Sequence, residues 1–154
     1  MTADGPWVRE SLVRSWGSTM AARCGALVDA SALPAVIVML DGQLAGLATY
    51  AARGEDWELV TIAADTIGRG IGRMLINAVE DLAMAAKARR IWLVTTNDNT
   101  RALRFYQRSG YDLVALDRDA VTRVRATLKP TIPLTIDGIA VRHELRLEKV
   151  LQTA

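Results

Sequence analysis

Cysteine and histidine are almost missing from this chain, with one of each, Cys24 and His143, in 154 residues. A single thiol excludes an internal disulfide framework. One Cys with one His leaves no basis for a zinc site of those ligands, so no metal is expected. No motif around either residue marks a Cys–His catalytic pair. Aromatic residues are scarce at 5%, and Trp7, Trp16, Trp57 and Trp92 are too scattered for a base-stacking platform. Basic and aromatic residues do not interleave, so no nucleic-acid partner is expected. No run approaches the ~20 apolar residues of a membrane span. Residues 1–6 lack the basic start and apolar core of a signal peptide. The expected location is therefore the cytoplasm, with no membrane partner. Repeats, low-complexity tracts and Pro/Gly/Ser linkers are also absent, so one domain over 1–154 is expected, at the usual domain size.

What is present suits a globular fold: 51% hydrophobic and 23% charged residues. The net charge of +2 hides an asymmetry, because residues 1–67 carry 4 basic and 8 acidic side chains while 68–154 carry 15 and 9. The second half suits a polyanion, although a solvated basic face is the ordinary reading of such a bias.

Periodicity orders the elements. Apolar residues at 8, 12, 13 and 16 predict a helix over Trp7–Trp16. Residues 17–34 resist assignment. Ala35–Leu40 and Gln43–Tyr50 are strands joined by Asp41-Gly42, the strongest short hairpin signal, with a possible bulge at Gly46. Residues 53–56 form a turn before a third strand, Trp57–Ala64. Ile71, Leu75, Ala78, Leu82 and Ala86 then recur at helical spacing over Arg73–Lys87. Ile91–Thr95 is an unbroken apolar run, the pattern of a strand buried on both faces. Asn97–Thr100 offers helix caps, a short helix runs to Ser109, and Gly110 stands where helices turn out of their last turn. A strand over Tyr111–Leu116, a helix over Asp119–Leu128 and a last strand over Ile139–Leu147 complete the order. The fold class is α+β: a mixed, mostly antiparallel twisted sheet between helices, with one parallel crossover over 57–95.

Gly68-Arg-Gly-Ile-Gly72 lies between a strand and a helix. Glycines let backbone approach a ligand closely, and a helix start offers unpaired N–H groups and positive dipole. Together they make an anion site, most often for phosphate, unless the loop only packs helix on sheet. No Lys-Ser or Lys-Thr pair follows, so the loop is not a Walker form. The dinucleotide form fails because its last glycine would fall on Arg73.

Ile62-Ala-Ala-Asp-Thr-Ile-Gly-Arg-Gly-Ile-Gly-Arg73 resembles, without a gap, the acyl-CoA loop of the GNAT N-acetyltransferase superfamily, V-x-P-x-Y-[QR]-G-x-G-[IV]-[GA]-[RS]. Asn99-Thr-Arg-Ala102, Tyr106 and Gly110-Tyr111 look like that family's N-x-x-A-x-x-x-Y-x-x-x-G-[FY]. The two blocks are separated by one helix and one strand, as in the family. The resemblance is strong over about 35–117. Ala64 and Ile67 replace the usual Pro and Gln/Arg, which implies a less pre-organised loop but leaves the backbone donors intact.

The resemblance implies an acetyl-CoA-dependent N-acetyltransferase of GNAT-like fold, with acetyl-CoA as the donor and a primary amine attacking the thioester directly. By position, the amides of Gly68, Arg69, Gly70, Ile71, Gly72 and Arg73 would hold the pyrophosphate. Ile62, Ala63 and Ala64, on a bulged strand, would pair with the pantetheine arm, and Asn99 would bond near it. Arg101, Arg104 and Arg108 share one helix face, which would either meet the 3′-phosphate, Arg104 first, or form a solvated basic stripe. Tyr106 matches the tyrosine that protonates the departing thiolate, and a phenol is protonated at neutral pH. Glu58 lies where some members place a catalytic glutamate, and in a regular strand 58, 60, 62 and 64 share one face. Arg14 and Trp16 are candidates for the acceptor pocket. Glu55, Asp56 and Glu58 would attract a cationic small-molecule or peptide amine. Residues 118–139 are candidates for a pocket wall or a dimer contact. An exposed edge at the last strand suggests a homodimer. Cys24 is expected as a small buried hydrophobe, and His143 as a packed or surface residue. The competing reading is a non-catalytic acyl-CoA-binding or sensor module of the same fold.

Overall fold

In the computed structural model, which describes residues 6–16, 18–65 and 68–151, four helices accompany ten strands. Helix α1 (Pro6–Trp16) is followed by the strands β1 (Met20–Arg23) and β2 (Ala26–Asp29), which form a small hairpin of their own. Next come β3 (Ala35–Leu40), β4 (Gln43–Arg53) and β5 (Asp56–Ala64), then helix α2 (Ile71–Ala85) and β6 (Arg90–Thr96). The chain ends with α3 (Thr100–Arg108), β7 (Asp112–Asp117), α4 (Ala120–Thr127), the short strands β8 (Thr135–Ile136) and β9 (Ile139–Ala140), and β10 (Glu144–Val150). Six strands hydrogen-bond in the order β3-β4-β5-β6-β10-β7, giving the mixed, mostly antiparallel sheet that the sequence predicts. Contacts divide the chain into two compact units, one centred on Asp29–Ile91 with α1, the other on Trp92–Lys149 with Ala22–Val28. Among the described residues no helix is long and apolar enough to cross a membrane.

In the first unit the sheet is buried on both faces. Ile37 pairs with Leu47 and Ala35 with Thr49, so these four share a face. On that face Val8 and Leu12 of α1 pack with Ala30, Ala35 and Leu47. Helix α2 covers the opposite face, the side of Gly46, and a Cβ at Gly46 would stand 2.5 Å from Ile71 Cγ2 and 3.0 Å from Leu75 Cδ1. Gly46 is there because the first turn of α2 leaves no room for a side chain. The expected bulge is next to it, since Val38 pairs with Gly46 and Met39 with Leu44, leaving Ala45 extra. Gly46→Ala should destabilise the protein by about 1–3 kcal/mol, because the packed core must shift to take one methyl. That lowers the unfolding midpoint by roughly 3–10 °C, measurable by calorimetry.

The buried stripe of α2 is Ile71, Leu75, Ile76, Val79 and Ala83. It turns earlier than the expected one, and Leu82 is left 41% exposed. The hairpin of β3 and β4 turns on Asp41 and Gly42 with φ of 51° and 77°, the left-handed pair that Asp-Gly supplies. Cys24 and Gly25 make the same kind of turn between β1 and β2, with φ of 52° and 74°. Cys24 is therefore exposed at a hairpin tip, not buried.

In the second unit β10 pairs antiparallel with β7, Leu145 opposite Leu116 and Leu147 opposite Leu113. The predicted last strand is split: Ile139 and Ala140 belong to a separate hairpin turned by Asp137-Gly138, and β10 starts only at Glu144. The exposed edge is also elsewhere. β10 lies between β6 and β7, and β7, exposed along its whole length, is the edge. Glu144 accepts the Cys24 N–H on both carboxylate oxygens, at 3.1 and 3.2 Å. Burial pushes the Glu144 carboxyl above the usual carboxylate range, aided by Asp117 across the strand pair.

Candidate active site

One group of candidate residues is built on β5, in the first unit. Thr49 pairs with Thr61 but Tyr50 pairs with Leu59, so Val60 is an extra residue, a β-bulge. The bulge breaks the alternation expected along the strand. Glu58 opposes Ala51, and Ile62 opposes Ala48. Since Ala48 and Ala51 point to opposite faces of β4, so do Ile62 and Glu58. The single face drawn through 58, 60, 62 and 64 is thus corrected by one inserted residue. Glu58 lies on the α1 side with Thr49, Ala51 and Thr61, and the two threonine hydroxyls are 2.6 Å apart. Glu58 is 1% exposed and is therefore not a solvated carboxylate at a strand end. Carboxylates are rarely buried so deeply without a specific role or partner.

The acidic neighbours do something else. Asp56 pairs with Arg90 at 2.9 Å and Glu55 with Arg89 at 3.6 Å. Their charge is matched by arginine at the β4–β5 turn, which offsets the attraction of cations expected of Glu55 and Asp56. Arg14 reaches the end of β5, where its guanidinium holds both oxygens of Asp65 at 3.2 and 3.3 Å. It braces the strand end that opens the glycine loop. The side chain of Trp16 lies outside the described residues, as do Thr66 and Ile67.

The loop itself is exposed at Gly68, Arg69 and Gly70. Gly68 and Gly70 have φ of 85° and 73°, a region that glycine enters without strain. Gly70 is the cap of α2, and no side chain caps the helix. No acidic residue stands in the first turn, and Arg73 is exposed there. The amides of Ile71, Gly72 and Arg73 therefore open outward with the positive end of the helix dipole. Ile62 and Ala63 are half-buried and Ala64 is exposed, which leaves the end of β5 accessible.

A separate group of candidate residues lies on α3, in the second unit. Asn99 caps it, its Oδ1 accepting the Ala102 N–H at 3.2 Å. This engages the oxygen of a side chain expected to face the pantetheine, and Nδ2 is the group left to donate outward. Arg101, Arg104 and Arg108 are exposed on α3. Tyr106 is 7% exposed, edge-on to Phe105 and Tyr111 at centroid distances of 5.4 and 6.1 Å. Burial raises its phenol well above the ordinary range, so the hydroxyl keeps its proton at any physiological pH. Trp92 is half-buried beneath the Arg146 guanidinium, 4.2 Å from the ring centroid. His143 packs against Asp119, its Nδ1 accepting the Asp119 N–H at 2.9 Å.

Sequence reasoning missed the Thr49–Thr61 pair and the bonding of Asn97, and read Gly46 as a possible bulge without its close approach to α2.

Comparison with known proteins agrees with the motifs. The sequence model of the Acetyltransferase (GNAT) family matches residues 6–111. The chain is 40% identical over 111 residues to the uncharacterized protein YdhI of Bacillus subtilis (strain 168), covering 71% of this chain and 69% of that protein. It is 36% identical over 93 residues to the streptothricin acetyltransferase of Streptomyces lavendulae, covering 58% of this chain and 49% of that one. A GNAT family acetyltransferase from Elizabethkingia anophelis, solved with acetyl-CoA bound, shares the fold at a TM-score of 0.71 and 16% identity, over 98% of this chain and 95% of that one.

Proposed function

The chain belongs to the GNAT acetyltransferase family, and on that premise we propose that it transfers the acetyl group of acetyl-CoA to a primary amine. The observation that carries this reading is the uncapped start of α2, opened by two left-handed glycines and free of acidic residues, directly after the bulged strand β5. That site fits a pyrophosphate on the amides of Gly68 through Arg73. The accessible backbone of Ile62, Ala63 and Ala64 suits an extended pantetheine arm, with the Nδ2 of Asn99 as a further donor. Arg73 and Arg104 supply positive charge for phosphate groups.

Acetyl-CoA supplies an acetyl thioester. Glu58 takes a proton from the substrate ammonium, so that the neutral nitrogen can attack the thioester carbonyl. The C–N bond forms as the C–S bond breaks, Tyr106 gives its hydroxyl proton to the departing sulfur, and the attacking nitrogen releases its second proton to solvent, from which the Tyr106 phenolate is reprotonated. A buried phenol is a suitable donor, because it holds that proton until charge develops beside it. A cationic acceptor suits a site whose base is Glu58, and the relative named streptothricin acetyltransferase makes streptothricin an acceptor to include in the test.

The test is thiol release from acetyl-CoA in the presence of streptothricin, polyamines, aminoglycosides, amino-acid derivatives and lysine peptides, with mass spectrometry of the products. Amine-dependent thiol release with an N-acetylated product supports the reading. Acetyl-CoA binding without turnover across these classes contradicts it and points to a binding module.

A further inference from the structure

Asn97, at the turn that follows β6, bonds with its whole carboxamide. Its Oδ1 accepts the backbone N–H of Arg142 at 2.9 Å and of His143 at 2.8 Å, and its Nδ2 donates to the carbonyl of Ala140 at 2.8 Å. Its own backbone N–H donates to the carbonyl of His143 at 3.0 Å. Residues 141–143 have no regular structure, so this one side chain does the work of a strand partner before β10 begins. The bonding continues from there. His143 Nδ1 and the Arg142 guanidinium hold Asp119, and Val121 N–H donates to the carbonyl of Arg142 at 2.9 Å. At the far end of α4, Arg125 bonds the carbonyls of Ile132, Pro133 and Val141 at 2.7 to 2.9 Å. The whole connection between β7 and β10 is thereby tied to one short turn. Two residues beyond Asn97, that same turn supplies Asn99, the cap of the helix that carries Tyr106.

We propose that Asn97 is a positioning residue for acetyl transfer, holding the β7–β10 connection and the start of α3 in one fixed arrangement. This rests on the reading of Tyr106 as the proton donor. The carboxamide makes all three bonds, because it presents an acceptor and a donor on one planar group. A small shift at the start of α3 displaces the phenol from the sulfur, and sub-ångström placement is what such a transfer depends on.

The experiment uses the full chain with Asn97→Ala and Asn97→Asp. Hydrogen exchange at Arg142 and His143 reports the clamp, steady-state kinetics report the reaction, and the midpoint rise with acetyl-CoA reports donor binding. Asn97→Ala should expose both amides, lower kcat by roughly 10-fold and leave the acetyl-CoA midpoint rise intact. Asn97→Asp keeps both accepted bonds and loses only the donor to Ala140. It should retain amide protection and most of kcat. A purely structural clamp would open in Asn97→Ala, lower the midpoint and leave kcat within about twofold, which overturns the proposal. Unchanged amide protection in Asn97→Ala overturns it as well. A wild-type chain without acetyl transfer overturns the reading of Tyr106 first and this proposal with it, so the two failures are distinguishable.

Discussion

Tyr106→Phe should lower kcat by about 10²–10⁴-fold, the usual range for loss of a positioned general acid. It should leave the acetyl-CoA-induced rise in unfolding midpoint intact. The ring stays, so its contacts with Phe105 and Tyr111 persist and only the hydroxyl is lost. The substitution also has a signature in stability. Burial raises the phenol of Tyr106 in the folded chain. The unfolded chain then releases that proton first, near pH ~10. The folded state binds more protons above that point, so stability falls as pH rises, by up to about 1.4 kcal/mol per pH unit. Below pH ~10 the contribution is fully present. Tyr106→Phe should flatten this alkaline limb, which denaturant titrations across that range would measure. A variant with kcat within about threefold of wild type would move the proton donor elsewhere.

Glu58→Gln is expected to be as severe, lowering kcat by about 10²–10⁴-fold at neutral pH while the shape of the buried residue is kept. The deficit should shrink as pH rises toward the pKa of the acceptor amine, near ~10, because the substrate then arrives already deprotonated. A pH–rate profile of wild type against the variant separates this role from a structural one. A constant deficit at every pH would show that Glu58 supports the fold on the α1 side of the sheet and does not act as base.

Where local chemistry and tertiary need coincide, the sequence is transparent. Asp41-Gly42 names its own hairpin, and Gly68-Arg-Gly-Ile-Gly72 with the second block at Asn99–Tyr111 names the family. The resemblance implies a bulge in β5, but its place at Val60 is invisible, because valine is an ordinary strand residue and the extra residue exists only relative to β4. Its effect is large, since it turns Glu58 to the face opposite Ile62. The hairpins at Cys24-Gly25 and Asp137-Gly138 carry turn signals, but their strands are too short to stand out as alternation. Asn97 shows no sequence sign of its role. Its partners are the backbone of residues 140–143, and any sequence there would present the same amides and carbonyls.

Thermal unfolding with and without acetyl-CoA tests the central claim most directly. A ligand at about 100 times its dissociation constant adds about 2.7 kcal/mol to the folded state. For a chain of this size that is a midpoint rise of roughly 5–10 °C. The account predicts that rise with acetyl-CoA and with CoA, and none with ATP or NAD. No rise at millimolar acetyl-CoA would contradict it, and would mean that the glycine loop and the open start of α2 do not hold the donor.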